Sequence, residues 1–433
     1  MKLPGDLLLP HYQLGAVDSS ALPMVAVLPA VAGALGLIGT TATGLDFAVC
    51  AASFELPEVR NVVIVMCDGL GYLNLEQHRA YAPYLRARWA DILATRTTFP
   101  STTAAALSSF GTGTAPGLTG MVGYTVRVPD SGLQTKGGTG ILANLVSWTQ
   151  QRDPTVIAGP SGNKGAATFG VPPQDFQREP SLLGVLEQHG VEVLSAGPDK
   201  FAASGLTQAA FSGGQFQGSQ TLSGRVKAVQ SFIRKPTSRP KCAYLYWGDV
   251  DKQGHGHGPD SREWTDALAH FDYEFEGLVG GLPAGTLVVL VADHGQIAVD
   301  RSSQIDVAAV PTLARGVALV GGEARALHVY AYDPRLPRST TADPATDIAL
   351  RWRDYLGDRA IVWTRAEAIT AGLFGPKVSA HVKPWVGDVV VACTGASTIV
   401  DSRTQTANSL ELKGVHGSLT PTEMTVPLLV TLT

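Results

Sequence analysis

The stretch NVVIVMCDG, residues Asn61–Gly69, is the most informative segment for predicting the fold of this chain. Six apolar residues run without interruption to an Asp-Gly pair, as in strands that are buried on both faces of a parallel sheet. The segments KCAYLYWGDVD (Lys241–Asp251) and TLVVLVADHG (Thr286–Gly295) have the same form, and helical patterns such as Ser181–Gln188 and Glu263–Leu278 lie between strands. This alternation predicts an α/β fold, with a mostly parallel central sheet and helices on both faces.

The composition is that of a well-packed globular protein. Of the 433 residues, 45% are hydrophobic and 16% are charged, which excludes an intrinsically disordered chain. The length is sufficient for one large α/β domain with insertions or for two domains. The net charge of −4 argues against a nucleic-acid-binding surface, so we expect no specific nucleic-acid partner.

Two sequence features bear on the cellular location. The apolar run at residues 22–38 contains two prolines and two glycines and follows no cluster of basic residues. It therefore predicts a buried helix rather than a membrane span or a signal peptide. The four cysteines are far apart and form no CxxC pair, which is typical of reduced, buried thiols. We expect a cytoplasmic protein without a membrane span.

The sequence pattern changes between residues 298 and 413. The strand candidates there are Gly316–Val320, Leu327–Tyr332 and Asp388–Ala392, and the helical segments are Pro344–Tyr355 and Arg365–Leu373. No catalytic motif interrupts them. We predict that residues 298–413 form an inserted α+β cap or lid, and that residues 1–297 and 414–433 together form the catalytic α/β domain.

Polar residues, most of them flanked by glycine, follow the predicted strands. They are three carboxylates and three imidazoles: Asp68, Asp251, His255, Asp293, His294 and His416. Because ligands gather at the carboxyl ends of the strands in such sheets, we expect these side chains to form a site there. Buried carboxylates need neutralisation, and mixed Asp and His ligands suit two zinc-like ions better than calcium. By residue type alone, His257 is as good a ligand as His255.

A second stretch, FPSTTAAALSSFGTG (Phe99–Gly113), places three adjacent hydroxyls at the predicted start of a helix. A helix N-terminus offers unpaired backbone N–H groups and the positive end of the dipole, which suit a phosphate oxygen. A hydroxyl bound to a divalent cation there becomes a usable nucleophile. We expect Ser101 to cap the helix and Thr102 to give local support. The alternative is that all three hydroxyls only cap the helix.

These motifs resemble those of the alkaline phosphatase superfamily, in its type I phosphodiesterase/nucleotide pyrophosphatase branch. The matching segments are Asp68 after the first strand, Pro100–Gly113 for the Pro-Thr-x-Thr helix start that ends in Thr-Gly, Asp251–Pro259 for Asp-x-x-Gly-His-x-x-Gly-Pro, Asp293–Gly295 for Asp-His-Gly, and Gly414–Gly417 for Gly-x-His-Gly. The resemblance extends from about Val62 to the C-terminus. It implies an alkaline-phosphatase-like sandwich with the inserted α+β cap.

The resemblance also implies two divalent metal ions, with Zn²⁺ expected and Mn²⁺ or Mg²⁺ as alternatives. The ligand sets carried over from the family are Asp251, His255 and His416 for one ion, and Asp68, Thr103, Asp293 and His294 for the other. The family nucleophile is the second threonine of its motif. Thr103 rather than Thr102 would therefore attack phosphorus and form a phospho-threonine intermediate.

The sequence departs from the family pattern where substrates are contacted. Tyr124 stands where relatives have an Asn that contacts a phosphoryl oxygen, which makes Tyr124 a candidate substrate-binding residue; Thr119-Gly120 replaces a His-Gly step, and Val250 replaces a proline. The implied function is hydrolysis of phosphodiester or nucleotide pyrophosphate bonds, with a small phosphorylated substrate such as a nucleotide. The alternatives are a phosphomonoesterase or phosphonate hydrolase of the same superfamily and, after these, a non-hydrolysing phosphate-binding protein.

Overall fold

A computed structural model describes residues 6–14, 22–128, 141–151, 169–332 and 343–433. Its strands are β1 Asn61–Cys67, β2 Ile92–Arg96, β3 Thr125–Arg127, β4 Leu142–Asn144, β5 Thr149–Gln151, β6 Glu192–Gly197, β7 Gln215–Gly218, β8 Lys241–Trp247, β9 Thr286–Val291, β10 Ile297–Ala298, β11 Gln304–Asp306, β12 Val317–Glu323, β13 Ala326–Ala331, β14 Ala360–Thr364, β15 Val389–Cys393, β16 Thr398–Val400, β17 Gly414–Val415 and β18 Thr425–Leu432.

The central sheet has seven strands in the order β2–β18–β9–β1–β8–β6–β7. β1 pairs in parallel with β8 on one side and with β9 on the other, whereas β18 runs antiparallel to both of its neighbours. Nearly every residue of β1, β8 and β9 is buried, so both faces of the sheet are covered. The predicted α/β fold with a mostly parallel central sheet is confirmed.

The α-helices form separate groups around this sheet: α1, α5 and α8 contact one another, and so do α10 and α12. The α-helices are α1 Val27–Ala34, α2 Phe47–Ser53, α3 Tyr72–His78, α4 Pro83–Ala87, α5 Thr103–Thr112, α6 Pro116–Thr119, α7 Pro173–Phe176, α8 Leu182–Gln188, α9 Gly205–Ala210, α10 Leu222–Arg234, α11 Asp249–His257, α12 Arg262–Gly280, α13 Pro311–Ala314, α14 Pro344–Leu356, α15 Arg365–Thr370, α16 Ala407–Leu410 and α17 Pro421–Met424.

The apolar run near the N-terminus is a buried helix, as predicted. A 3₁₀ turn at Met24–Ala26 continues into α1, and nearly all residues of both are buried. None of the helices in the described part of the chain combines the length and the apolarity needed to cross a bilayer.

Residues 298–413 build a second, antiparallel sheet in the order β12–β13–β15–β14. A separate hydrophobic cluster lies between this sheet and α14, with Trp352 completely buried in it. The chain enters and leaves this region through two strands that pair with each other, β10 and β17. β14 is not predictable from its sequence, since the short apolar run AIVWT is compatible with a helix as well as a strand.

Candidate active site

Three neighbouring strands bring the polar residues to one edge of the central sheet. Asp68 follows β1 directly, and Asp293 and His294 follow β9 after one residue. Asp251 and His255 lie four residues apart on α11, which starts just after β8, so both side chains are on one side of that helix. The parallel pairing of β1 with β8 and β9 places these groups at the same edge.

The Asp68 cluster consists of Asp68, Thr103, Asp293 and His294. Nε2 of His294 lies 3.5 Å from Oδ1 of Asp68, 3.4 Å from Oδ2 of Asp293 and 3.2 Å from Oγ1 of Thr103. The other carboxylate oxygens are already hydrogen-bonded. Two backbone amides donate to Oδ1 of Asp293 at 3.0 Å, and the Tyr246 hydroxyl donates to Oδ2 of Asp68.

The remaining oxygens of this cluster fit a cation. Oδ1 of Asp68 and Oδ2 of Asp293 are buried and have no hydrogen-bond partner among the described residues. Burial, followed by the charge of Asp293, raises the pKa of Asp68 well above its usual range, and burial raises the pKa of Asp293. Two buried carboxylate oxygens, an imidazole nitrogen and a hydroxyl are a donor set that a zinc-like ion accepts, and the ion would neutralise both charges.

The Asp251 cluster consists of Asp251, His255 and His416. Nε2 of His255 lies 3.4 Å from Oδ1 of Asp251 and 3.3 Å from Nε2 of His416. The Nδ1 atoms face backbone carbonyls, at 2.8 Å from Gly414 for His255 and 2.9 Å from Ser101 for His416. This arrangement assigns the ring protons to Nδ1 and leaves both Nε2 atoms free to bind a metal ion.

The two clusters adjoin each other. The rings of His294 and His416 stack with their centroids 3.6 Å apart. Burial, and next the proximity of His294 and His255, hold the pKa of His416 well below its usual range. His416 is therefore neutral, which is the state that a metal ligand needs.

The structure distinguishes between the residues that the sequence left open. His257 lies away from Asp251 and faces Glu263 at 3.6 Å, with its side chain 42% exposed, so His255 is the histidine that joins the cluster.

The prediction that Ser101 caps the helix is wrong. Thr102 occupies the N-cap position of α5 without a side-chain cap hydrogen bond. The Ser101 hydroxyl instead donates to the carbonyl of Ser418, because the extended backbone at Ser101 is turned toward that loop.

A cavity of about 430 Å³ opens over both clusters. Thr103, Tyr124 and His416 line it, and Tyr124 is 40% exposed. Part of its wall, including Glu323 and Asp401, comes from the region of residues 298–413. A second, mostly apolar cavity of about 60 Å³ also borders Thr103.

Three residues that touch the clusters were not found by sequence reasoning. Gln296 donates to Oδ1 of Asp251 at 2.5 Å, Tyr246 donates to Asp68, and Glu323 lies beside His416. Gln296 was predictable as a neighbour of the site from its position directly after Asp-His-Gly. A residue that is adjacent in sequence to proposed metal ligands also lies near them in space. Tyr246 resembled an ordinary strand residue, and Glu323 is more than 90 positions from His416 in sequence.

The match to a known family, together with the mostly parallel sheet, the two adjoining Asp/His clusters and the threonine at a helix start, assigns the protein to the hydrolases of the alkaline phosphatase superfamily. The sequence profile of the type I phosphodiesterase / nucleotide pyrophosphatase family matches residues 62–419. The chain belongs to that family, as its motifs predicted.

Known proteins resemble the chain at low sequence identity. Phosphopentomutase of Deinococcus radiodurans is 28% identical over 130 residues, and the match spans 28% of this chain and 30% of the relative. Murine ectonucleotide pyrophosphatase / phosphodiesterase 5, inactive and in complex with AMP, superposes with a TM-score of 0.60 at 13% identity, covering 85% of this chain and 87% of that one. Phosphonoacetate hydrolase from Sinorhizobium meliloti 1021 gives 0.58 at 18% identity, covering 86% and 90%. At such identities the structural matches show the fold alone.

Proposed function

We propose that the protein is a two-metal phosphoesterase that hydrolyses phosphodiester or nucleotide pyrophosphate bonds through a phospho-threonine intermediate. The observation that carries the proposal is the position of Thr103 Oγ1, 3.2 Å from Nε2 of His294 and within the cluster that holds the unpartnered oxygens of Asp68 and Asp293. The murine neighbour of the same fold is an inactive threonine-to-alanine variant in complex with AMP, which agrees with a threonine nucleophile and a nucleotide ligand.

The metal sites follow from the two clusters. We assign Asp68, Thr103, Asp293 and His294 to one ion, and Asp251, His255 and His416 to the other. Zn²⁺ is the proposed ion, with Mn²⁺ and Mg²⁺ as alternatives, because the donors mix carboxylate oxygen with imidazole nitrogen. Bound divalent ions would stabilise negative charge on the phosphoryl oxygens and lower the pKa of the Thr103 hydroxyl.

The residues of the chain then have separate roles. Oγ1 of Thr103 attacks phosphorus in line, and the bond to the leaving oxygen breaks as the new O–P bond forms. Water cleaves that O–P bond in a second step, which releases the phosphoryl product and restores the threonine hydroxyl. The N-terminus of α5, at which Thr103 is the first helical residue, directs unpaired backbone N–H groups at the phosphoryl oxygens.

We also propose that residues 298–413 are a cap subdomain that selects the substrate, and that residues 1–297 and 414–433 are the catalytic domain. The supporting observations are the separate sheet and hydrophobic cluster of the cap and its share of the cavity wall. Tyr124 lines the same cavity as Thr103 and is the proposed substrate contact outside the cap.

Elemental analysis combined with a substrate screen tests the proposal. Protein purified without chelator should contain about two divalent ions per chain. It should hydrolyse bis-p-nitrophenyl phosphate and a nucleotide pyrophosphate faster than p-nitrophenyl phosphate. A preference for the monoester would show a phosphomonoesterase, and a preference for phosphonoacetate would show a phosphonate hydrolase. Either result would overturn the proposed substrate class. Binding of phosphate without turnover of any substrate would show a non-hydrolysing binding protein.

A further inference from the structure

A tight turn of the cap reaches into the active site. β12 and β13 pair in antiparallel fashion, with Glu323 opposite Ala326 and two residues between them. We call this turn, residues 323–326, the strut. Its first residue lines the cavity that also contains Thr103 and His416, so the strut is the part of the second sheet that lies against the proposed metal ligands.

Glu323 contacts the site at two points. Its Oε2 lies 3.4 Å from Nδ1 of His416. The Thr102 hydroxyl is adjacent to the same carboxyl group. Gly417 makes the approach feasible, since a Cβ at that position would lie 2.8 Å from Cγ of Glu323, and its φ of +128° disfavours any other residue.

Arg325 connects the strut to the segment that contains His416, Gly417 and Ser418. Its buried guanidinium donates to both carboxylate oxygens of Glu423, at 3.1 and 2.7 Å. Glu423 in turn accepts a hydrogen bond of 2.9 Å from the backbone amide of Ser418. The strut therefore contacts the segment His416–Ser418 at two residues: Glu323 touches His416 directly, and Arg325 reaches Ser418 by way of Glu423.

The contacts of His416 determine which of its nitrogens is free. The Nδ1–H of His416 donates to the carbonyl oxygen of Ser101 at 2.9 Å, and the Glu323 carboxyl group contacts the same nitrogen at 3.4 Å without taking that hydrogen bond. Nε2 points toward Asp251 and His255. A histidine that donates its second ring N–H to a carboxylate or carbonyl is fixed in orientation and becomes a stronger metal ligand. We propose that Glu323 is a positioning residue, supplied by the cap, that orients the His416 imidazole for binding of a divalent ion. This inference rests on the proposed function, because it takes the Asp251 cluster as a metal site.

Zinc affinity tests this role directly. Glu323→Ala should weaken the binding of one of the two zinc ions by about 10- to 100-fold, as removal of such outer contacts does in other metal proteins. Glu323→Gln keeps the size of the side chain and one acceptor oxygen, so it should recover part of that loss. The dissociation constants would be measured by competition with a chromophoric chelator, and melting temperatures would be recorded in parallel. A merely structural contact would lower the melting temperature and leave the zinc dissociation constants unchanged.

Glu411→Gln is the matched control. It removes another carboxylate of the cap, 80% exposed and paired with Arg301, and should leave both zinc constants as in the wild type. Wild-type zinc affinity in folded Glu323→Ala overturns the positioning role while the proposed function stands. If the alanine variant does not fold, Glu323→Gln decides: weaker zinc binding supports the role, and wild-type affinity overturns it. A wild-type protein that binds no divalent ion overturns both proposals.

Discussion

Thr102 and Thr103 are adjacent in sequence but have different surroundings in the fold. The Thr103 hydroxyl faces His294, whereas the Thr102 hydroxyl is buried beside Glu323 without a regular hydrogen bond in the described structure. Thr103→Ala should reduce turnover by about 10⁴- to 10⁶-fold, because it removes the attacking oxygen. Thr102→Ala should reduce it less than about tenfold, since capping and positioning effects amount to about 1 kcal/mol. Steady-state kinetics with a p-nitrophenyl diester provide the measurement.

Each of the two variants, Thr102→Ala and Thr103→Ala, is a control for the other. If an alanine merely disturbed the start of α5, both variants would lose activity to a similar extent. Both should keep the wild-type fold, because the next three residues of α5 are buried alanines and a further small residue fits there. An inactive Thr102→Ala with an active Thr103→Ala would move the nucleophile by one residue. Activity in both variants would exclude the covalent threonine mechanism and favour direct attack by water.

Tyr124 provides a test of substrate choice. Its side chain lines the cavity beside Thr103, so Tyr124→Phe removes a hydroxyl that can contact the phosphoryl group or the leaving group. The ratio of kcat/KM for p-nitrophenyl diester and monoester should change by about 5-fold, corresponding to about 1 kcal/mol for one hydrogen bond. Tyr273→Phe, on an exposed part of α12, is the control. Equal ratios in both variants and the wild type would remove Tyr124 from the site.

At the scale of single elements, strands were predictable where their burial is continuous. The segments that became β1, β8 and β9 have no polar interruption, and the sheet buries both of their faces, so local sequence and tertiary environment agree. The strut was not predictable. Its contact with the site depends on how β12 and β13 pair and on where the second sheet lies, and neither is encoded in the few residues of the turn.

His328 in β13 should make the stability of the native protein depend on pH. Nδ1 accepts a hydrogen bond from the amide of Gly387, and Nε2 lies 2.7 Å from the carbonyl of Val122. Burial lowers the pKa of His328 from 6.5 to about 4. Between these values the unfolded chain binds a proton that the native chain does not. Native stability should therefore fall by about 3 kcal/mol as the pH drops from 6.5 to 4, and be unaffected by this group above 6.5.

Chemical denaturation of metal-free protein across this pH range measures the effect. His328→Gln should lower stability at pH 7.5, because it breaks the two backbone contacts, and should show a smaller further loss down to pH 4. His189→Gln removes an exposed imidazole at the end of α8 and serves as the control. If the wild type and His328→Gln lose the same free energy of unfolding between pH 6.5 and 4, then His328 is not held neutral by burial.

At the scale of the whole molecule, the sequence predicted which residues meet but not everything that surrounds them. Asp68, Asp251 and Asp293 each follow a buried strand, so the parallel sheet alone brings them to one edge. His416 follows residues 298–413 rather than a strand of the central sheet, so its role as a ligand of the Asp251 cluster could be predicted only through the family motif. The outer contacts of the clusters, such as Gln296 and Glu323, come from side-chain directions and from packing between the two sheets, which follow no local sequence period.

The same architecture predicts that metal removal weakens the entire fold. Without cations, the carboxylates of Asp68 and Asp293 remain buried with unpartnered oxygens, and uncompensated buried charge costs several kcal/mol. Ions that bind only the native state add about 4 kcal/mol per site at a free concentration of 1,000 times the dissociation constant. Protein treated with EDTA should therefore melt several degrees lower, and added Zn²⁺ should restore the wild-type melting temperature.

Asp293→Asn, which weakens one ligand set, should lose part of this response, whereas Asp260→Asn, at an exposed surface position, should keep it. A melting temperature that is indifferent to EDTA and to Zn²⁺, Mn²⁺ and Mg²⁺, in a protein that still hydrolyses its substrate, would rule out both metal sites.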